Sequence, residues 1–497
     1  MADTLLRNGL VDVGGGEFRT ADVLVASGLI ASVGHSADSG GAEVVDCSRF
    51  AVVPGIVNAH NHSNENFFRG QWDNLPLEPW MLFSYPALAN PPYSEREIYV
   101  RTLLGALEMV RSGATCVVDY VYELAGWTDE TLGSIVRAYR DLGLRAVIVI
   151  GMSDRAYQES VVLDLSLVPD DLMRRLEREK PPPWREWEAF ARRAVERYHR
   201  PDEGISIALG PSGPQRCTDE MLAGCAQLAD ELDLTIHIHV LETRMQALSG
   251  MKMYGQTLPE HLHELGFLGP RVSFEHGIWL TESDIELVAA TRTSITHNPI
   301  SNMKLGSGIA AIPVLLEHDV NVAMGSDGMS SNDGNDMYAT LKVAGLLHKL
   351  WDIDYERWLG APEAWRMATR GGTQAAGDDG LGRIEPGRHA DLVLLDLESR
   401  VFTPLNNPLH QIVFCSATSA VHSTMVGGRW VLRDGRTAGV DEAEILAEGR
   451  ELGRAVVERH GEAWALSRRL LASVRGGWLE ALATDVGINR SIPLERR

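Results

Sequence analysis

A chain of 497 residues exceeds a single ordinary core and calls for two or three domains, or one large barrel with attachments. Apolar residues make up 44% and charged residues 23%, the proportions of a soluble globular protein. With 46 basic against 68 acidic residues the net charge is −22, which argues against nucleic acid and anionic membrane surfaces as partners.

Cys47, Cys116, Cys217, Cys225 and Cys415 are odd in number and form no Cys-x-x-Cys pair, the pattern of reduced thiols in a cytosolic protein. The segment Met1 to Arg7 lacks a basic stretch followed by an apolar one, so no secretory signal is read there. No run of about 18 apolar residues is available to span a membrane. The expectation is a cytoplasmic protein with a small-molecule partner.

Residues 1 to about 50 read as short strands with tight turns: Thr4 to Val11, Ala21 to Ala26 and Leu29 to Val33. The same texture returns at Leu392 to Asp396 and in a glycine-turn hairpin, Ser423 to Leu432. Neither module buries both faces alone, so the two ends are expected to pair into a composite β-sandwich domain, 1–55 with 385–440.

The long middle alternates. Strand-like runs end at His60 and Asp119, then continue as Ala146–Ile150, Ile205–Leu209, Thr235–Val240, Val272–His276, Ser294–His297 and Val320–Asp327. Helical patterns lie between them at Glu95–Ser112, Thr128–Leu142, Asp219–Leu232 and Ser283–Ala290. Eight strands with crossover helices predict an α/β fold, a (β/α)8 TIM-like barrel over residues 56–384, close to the usual size of about 250 residues. An insertion at 161–201, with Pro181-Pro182-Pro183 and a helix over Trp184–His199, is expected near the barrel mouth, as a surface elaboration or a lid. The 441–497 tail reads as amphipathic helix from Asp441 to Leu482 and hints at a subunit contact, hence a homo-oligomer.

Chemistry gathers where such barrels keep it, at the C-terminal ends of the strands. The first strand runs into His60-Asn61-His62, and in an extended chain residues i and i+2 share a face, so both imidazoles can meet one divalent ion. The fifth strand carries His237 and His239 and leads to Glu242. The sixth ends Glu275-His276, the seventh Thr296-His297-Asn298-Pro299, and the eighth Gly325-Ser326-Asp327.

The stretches Pro54 to His62, Phe68-Arg69-Gly70, His239 to Thr243, His276-Gly277, His297 to Leu305, Gly325 to Gly328 and Gly382 to Gly387 together resemble the amidohydrolase superfamily. The branch is that of the cytosine deaminases, S-adenosylhomocysteine deaminases and triazine hydrolases, and the resemblance covers nearly the whole chain. It implies that His60, His62, His239 and Asp327 bind one divalent metal, with Glu242 as proton shuttle and His276 beside the reacting group. The chemistry suits these roles. A divalent ion brings the pKa of bound water to about 7, Asp327 can accept its proton, and Glu242 can pass a proton to the ring and the departing amine. Three imidazoles and a carboxylate suit Zn2+ or Fe2+. Binuclear relatives carry a carboxylated lysine at the end of the fourth strand; Ile205 to Pro214 has none, so one metal is expected. His-x-x-Glu spacing selects His239 as the ligand and leaves His237 packed behind it.

The implied reaction is hydrolytic removal of an amino group from an N-heteroaromatic ring. The alternatives are a substituted amine, halide, amide or urea leaving group, or a catalytically silent binding barrel. S-adenosylhomocysteine deaminases have Gly-Pro-His-Ser-Pro after the fourth strand, whereas this chain reads Gly210-Pro211-Ser212-Gly213-Pro214-Gln215-Arg216. Purines, pterins and triazines therefore stay open, with Gln215 and Arg216 as candidate specificity residues. Trp80 is read as pocket wall or core, and His297 as substrate contact or structural. Asn64, Glu65 and Asn66 are read as pocket lining or solvated loop. Arg69 and Ser330-Ser331-Asn332-Asp333 are read as ordering their loops.

Overall fold

Eight parallel strands form the centre of the computed structural model, which describes residues 3–35, 40–350 and 352–491. The strands are Ile56–Asn61, Ala114–Val121, Arg145–Met152, Ile205–Pro211, Ile236–Val240, Val272–His276, Ser294–His297 and Val322–Met324, each paired with the next. The last meets the first. The Asp327 amide donates to the His60 carbonyl at 2.9 Å, and the Asn58 side chain accepts from the Ser326 amide and donates to its hydroxyl. This is a nearly closed (β/α)8 barrel.

Nearly all strand residues are buried because helices cover the barrel outside and side chains fill it within. The helix Glu95–Arg111 begins with a capping box in which the Ser94 hydroxyl accepts from the Glu97 amide and the Glu97 carboxylate accepts from the Ser94 amide. Its apolar residues Ile98, Leu103, Leu107 and Val110 lie in the barrel's core cluster. Each such side chain taken fully out of water contributes about 1.5–3 kcal/mol.

The eighth strand is much shorter than the Val320–Asp327 run expected. A Cβ on Gly325 would lie 2.3 Å from Asn298 Oδ1 and 2.8 Å from the His60 Cβ, so only glycine lets the chain pass this close. Asp327 then takes φ 63°, which ends extended geometry.

Both chain ends build one mixed sheet, of nine strands among the described residues. The junction is antiparallel, Leu392↔Pro54 through Asp396↔Phe50. The sheet curls so that Val23, Val25 and Ile30 share a core with Leu392, Leu394 and Met425.

The insertion carries helices Asp170–Leu176 and Trp184–Tyr198. The tail is helical as read, in two helices, Glu442–Arg459 and Gly461–Ala483. Part of the tail's apolar surface packs on its own chain: Val456, Trp464, Leu470 and Val474 pack with Phe68, Leu82, Phe83 and Leu172. Leu446, Leu479 and Leu482 of the tail are exposed. Positions 1–2 of the N-terminal reading and 492–497 of the tail lie outside the described residues. Among the described residues no helix is long and apolar enough to cross a membrane.

Candidate active site

Three strand ends that carry site residues leave the sheet through non-glycine residues with positive φ: Leu241 at 53°, His276 at 74° and Asp327 at 63°. Such backbone is costly for L-residues and clusters at functional sites. The first strand supplies a fourth irregularity, a register shift against the second strand between Asn58 and Asn61. The loop beyond it is tied down by Asp119, whose carboxylate accepts from Asn61 Nδ2, the Ser63 amide and the Tyr139 hydroxyl.

These devices bring His60, His62, His239, His276 and Asp327 together. One ligand atom each of His60, His239 and His276 lies within 4.8 Å of the others, and the same holds for His60, His62 and Asp327. His62 Nε2 is 3.4 Å from His239 Nε2 and 3.4 Å from Asp327 Oδ1; His60 Nε2 is 3.7 Å from the same oxygen.

The other ring nitrogens decide the tautomers. His62 Nδ1 faces the Tyr120 carbonyl at 2.5 Å and His239 Nδ1 faces the Ser212 carbonyl at 3.1 Å. A carbonyl only accepts, so each Nδ1 carries the proton and each Nε2 turns a lone pair inward. Neither ring nitrogen of His60, fully buried, has a hydrogen-bond partner among the described residues. Lone pairs and a carboxylate converging at such distances repel unless a cation lies between them. The donor set therefore fits one divalent metal.

Burial and the neighbouring imidazoles hold His60 and His239 well below the usual histidine range, hence neutral. His276 goes the other way: burial opposes its charge, but Glu242 and Asp327, 3.7 and 3.8 Å from its Nε2, outweigh burial and raise it. Its Nδ1 is 2.8 Å from Asn302 Oδ1. Burial pushes Glu242 up to about 7, against the pull of His276 and with help from Asp327 and Glu78.

Above this floor opens a cavity of about 410 Å³, within the size range of small-molecule sites. Trp80, Tyr85, Tyr122, Tyr157 and Trp187 line it, with Pro181 and Pro182 of the insertion at its edge. Gln215 and Arg216 line it too, as do Glu65, His62, His239, Glu242, His276 and Asp327. His297 does not. It is buried with Nε2 3.1 Å from His348 Nε2, and burial beside that ring lowers its pKa well below normal. Of the two readings of His297, substrate contact or structural, its pairing with His348 outside the cavity lining favours the structural one.

His237 likewise packs behind the site, its Nδ1 3.0 Å from Glu275 Oε1. Arg69 donates to Glu108, and Asp333 accepts from the Gly70 amide and Lys304. Asn64, Glu65 and Asn66 are buried rather than solvated, with Glu65 receiving the Tyr85 hydroxyl and the amide and hydroxyl of Ser330.

Several neighbours escaped sequence reasoning. Glu275, wholly buried, sits 3.4 Å from His60 Nδ1 by its second oxygen. Ser301 donates to Asp327 Oδ2 at 2.6 Å. Tyr122 stacks on His62 with centroids 5.8 Å apart. A signal existed for Tyr120 and Tyr122, which follow Asp119 at the second strand's end, and for Glu275, adjacent to His276. Nothing in spacing pointed to Ser301.

The amidohydrolase family model matches residues 51–431. A 5'-deoxyadenosine deaminase from Methanothermobacter thermautotrophicus is 35% identical over 443 residues, covering 88% of this chain and 94% of its own. A 5-methylthioadenosine/S-adenosylhomocysteine deaminase from Syntrophobacter fumaroxidans is 32% identical, covering 92% and 98%. Among solved structures, a zinc-bound adenosine deaminase from Xanthomonas campestris superposes with TM-score 0.80 at 28% identity, covering 92% and 99% of the two chains. A zinc-complexed atrazine chlorohydrolase from Arthrobacter aurescens gives 0.81 at 25%, covering 90% and 100%. The chain belongs to the amidohydrolase family, as a metal-dependent hydrolase of carbon–nitrogen bonds.

Proposed function

We propose that this enzyme hydrolytically deaminates a 6-aminopurine-type ring, releasing ammonia and leaving an oxo group in its place. The observation that carries the reading is the juxtaposition of Glu242 with the inward-facing cluster of His60, His62, His239 and Asp327, at the floor of an aromatic-walled cavity. The ring class follows the relatives named as adenosine-type deaminases.

His60, His62, His239 and Asp327 would hold the ion, which we take to be zinc because two structural neighbours contain it. When bound, it supplies a nucleophilic water of pKa about 7. Trp80, Tyr85 and Tyr122 receive the flat face of the ring. Glu242, its amide held by Gln246 Oε1 at 3.0 Å, takes a proton from the attacking water and delivers it to a ring nitrogen. Glu242 then takes the second proton of that water and passes it to the amine as the carbon–nitrogen bond breaks, so one water is consumed and one ammonia leaves. His276, raised in pKa between Glu242 and Asp327, donates from Nε2 toward the attacking oxygen. Ser301 fixes the Asp327 carboxylate. Four buried, unpaired thiols, Cys47, Cys116, Cys217 and Cys225, support a reducing compartment such as the cytoplasm.

The test joins elemental analysis of wild type and Asp327→Ala with product release from aminopurines, aminopterins and aminotriazines. One zinc per chain, lost in the variant, with ammonia from a purine supports the reading. Chloride, alkylamine or carbon dioxide instead would move the assignment to another leaving group, and two metals per chain would refute a mononuclear site.

A further inference from the structure

The turn after the fourth barrel strand, Pro214–Arg216, is pinned on every side. The Pro214 carbonyl accepts from the Tyr254 hydroxyl at 3.1 Å, and the Arg216 carbonyl accepts from the Arg155 amide at 3.1 Å. A Cβ on Gly213 would lie 3.2 Å from the His239 carbonyl, so the turn is pressed against the strand that carries a metal-site histidine. On this rigid base the half-buried Arg216 side chain enters the cavity.

Its guanidinium is poorly used. Among the described residues its one polar contact is Nη2 with the Met81 sulfur at 2.8 Å, a weak acceptor, and no carboxylate oxygen comes within 4.0 Å. Other arginines nearby are spent: Arg155 donates to the Cys217 carbonyl and the Tyr254 hydroxyl, and Arg101 pairs with Glu123. In a chain of net charge −22, a cavity guanidinium left without a carboxylate has donors to spare for a ligand.

Resting on the deaminase reading above, we propose that Arg216 is a substrate-binding residue that selects amino-heteroaromatic substrates carrying a carboxylate. The chemistry favours a carboxylate because a guanidinium presents its N–H groups as a planar fork matched to two coplanar oxygens. Arg216 also offsets the burial of Glu78 and Glu242, and a purely charge-balancing role is the competing account.

The experiment compares matched acid and amide substrates on the zinc-loaded enzyme: adenosine-5'-carboxylic acid with its carboxamide, and 5-carboxycytosine with 5-carbamoylcytosine. Wild type, Arg216→Met and Arg216→Lys are assayed for ammonia release and, by calorimetry, for ligand binding. For one pair, the ratio of kcat/KM for acid over amide should fall roughly 10- to 100-fold in Arg216→Met, mainly through KM, with Arg216→Lys intermediate. An acid-to-amide ratio unchanged within twofold for both pairs overturns the proposal, as does an equal loss on acid and amide, the signature of charge balance. If no ring releases ammonia but an acid still binds through Arg216, the deaminase reading fails and this assignment stands.

Discussion

Glu275 offers the sharpest test of how the metal site is held. Its carboxylate, with no solvent exposure, sits between two imidazoles: Oε1 is 3.0 Å from His237 Nδ1 and Oε2 is 3.4 Å from His60 Nδ1. Oε1 is hydrogen-bonded to His237 Nδ1, while Oε2 makes no hydrogen bond but sets its charge beside His60 Nδ1, which favours the tautomer that leaves Nε2 of His60 free for the ion. Glu275→Gln keeps the volume but exchanges one acceptor for a donor. One imidazole must then face an N–H group, flip its tautomer or turn. Losing a carboxylate behind a ligating histidine costs about 10- to 100-fold in metal affinity, or roughly 1.4–2.8 kcal/mol. The assay is retention of zinc against a graded chelator near neutral pH, with ammonia release measured on enzyme reloaded with excess zinc. The chelator midpoint should move by that factor, and excess zinc should restore much of the activity. A midpoint within twofold of wild type, alongside a lowered thermal midpoint, would show that Glu275 only packs the barrel interior.

Glu242→Gln should retain zinc while kcat falls about 100- to 10,000-fold, the usual contribution of a positioned proton-transfer group. Because burial raises Glu242 to about 7 and its ionised form accepts the proton, activity should decline as pH falls through about 7; a flat profile across that range would remove it as the base. Trp464 closes the tail onto the helix Leu77–Ser84, its indole donating to the Phe83 carbonyl at 3.0 Å. Trp464→Ala should lower stability by about 3–5 kcal/mol in denaturant titration, and should raise KM more than it lowers kcat, since the same helix carries Trp80.

The terminal half of the fold was legible because amino-acid pattern and local geometry agree there. Glycine turns between alternating runs marked the sheet strands, and the crossover helix Asp219–Leu232 begins and ends where its apolar period and its capping Thr218 place it. Where one glycine meets a crowd of other chain segments, pattern failed: Val320–Asp327 reads as a long strand, but contacts from Asn298 and His60 limit it to Val322–Met324.

By itself the sequence determined the order of the eight barrel strands and the identities at the strand ends, because period-two patterns are local and barrel topology sends strand ends to one face. His60, His62, His239, Glu242, His276 and Asp327 were therefore visible as a set. Only the tertiary structure decided which histidines look inward. His297 and His239 occupy equivalent-looking places at strand ends, yet one pairs with His348 and the other faces the cavity. It also decided what surrounds the site, since Ser301 and the aromatic wall of Trp80, Tyr85 and Tyr122 reach it through packing between segments far apart in the chain. Which way a ring points, and what it meets there, is set by the twist and closure of the whole barrel, and no window of sequence contains that.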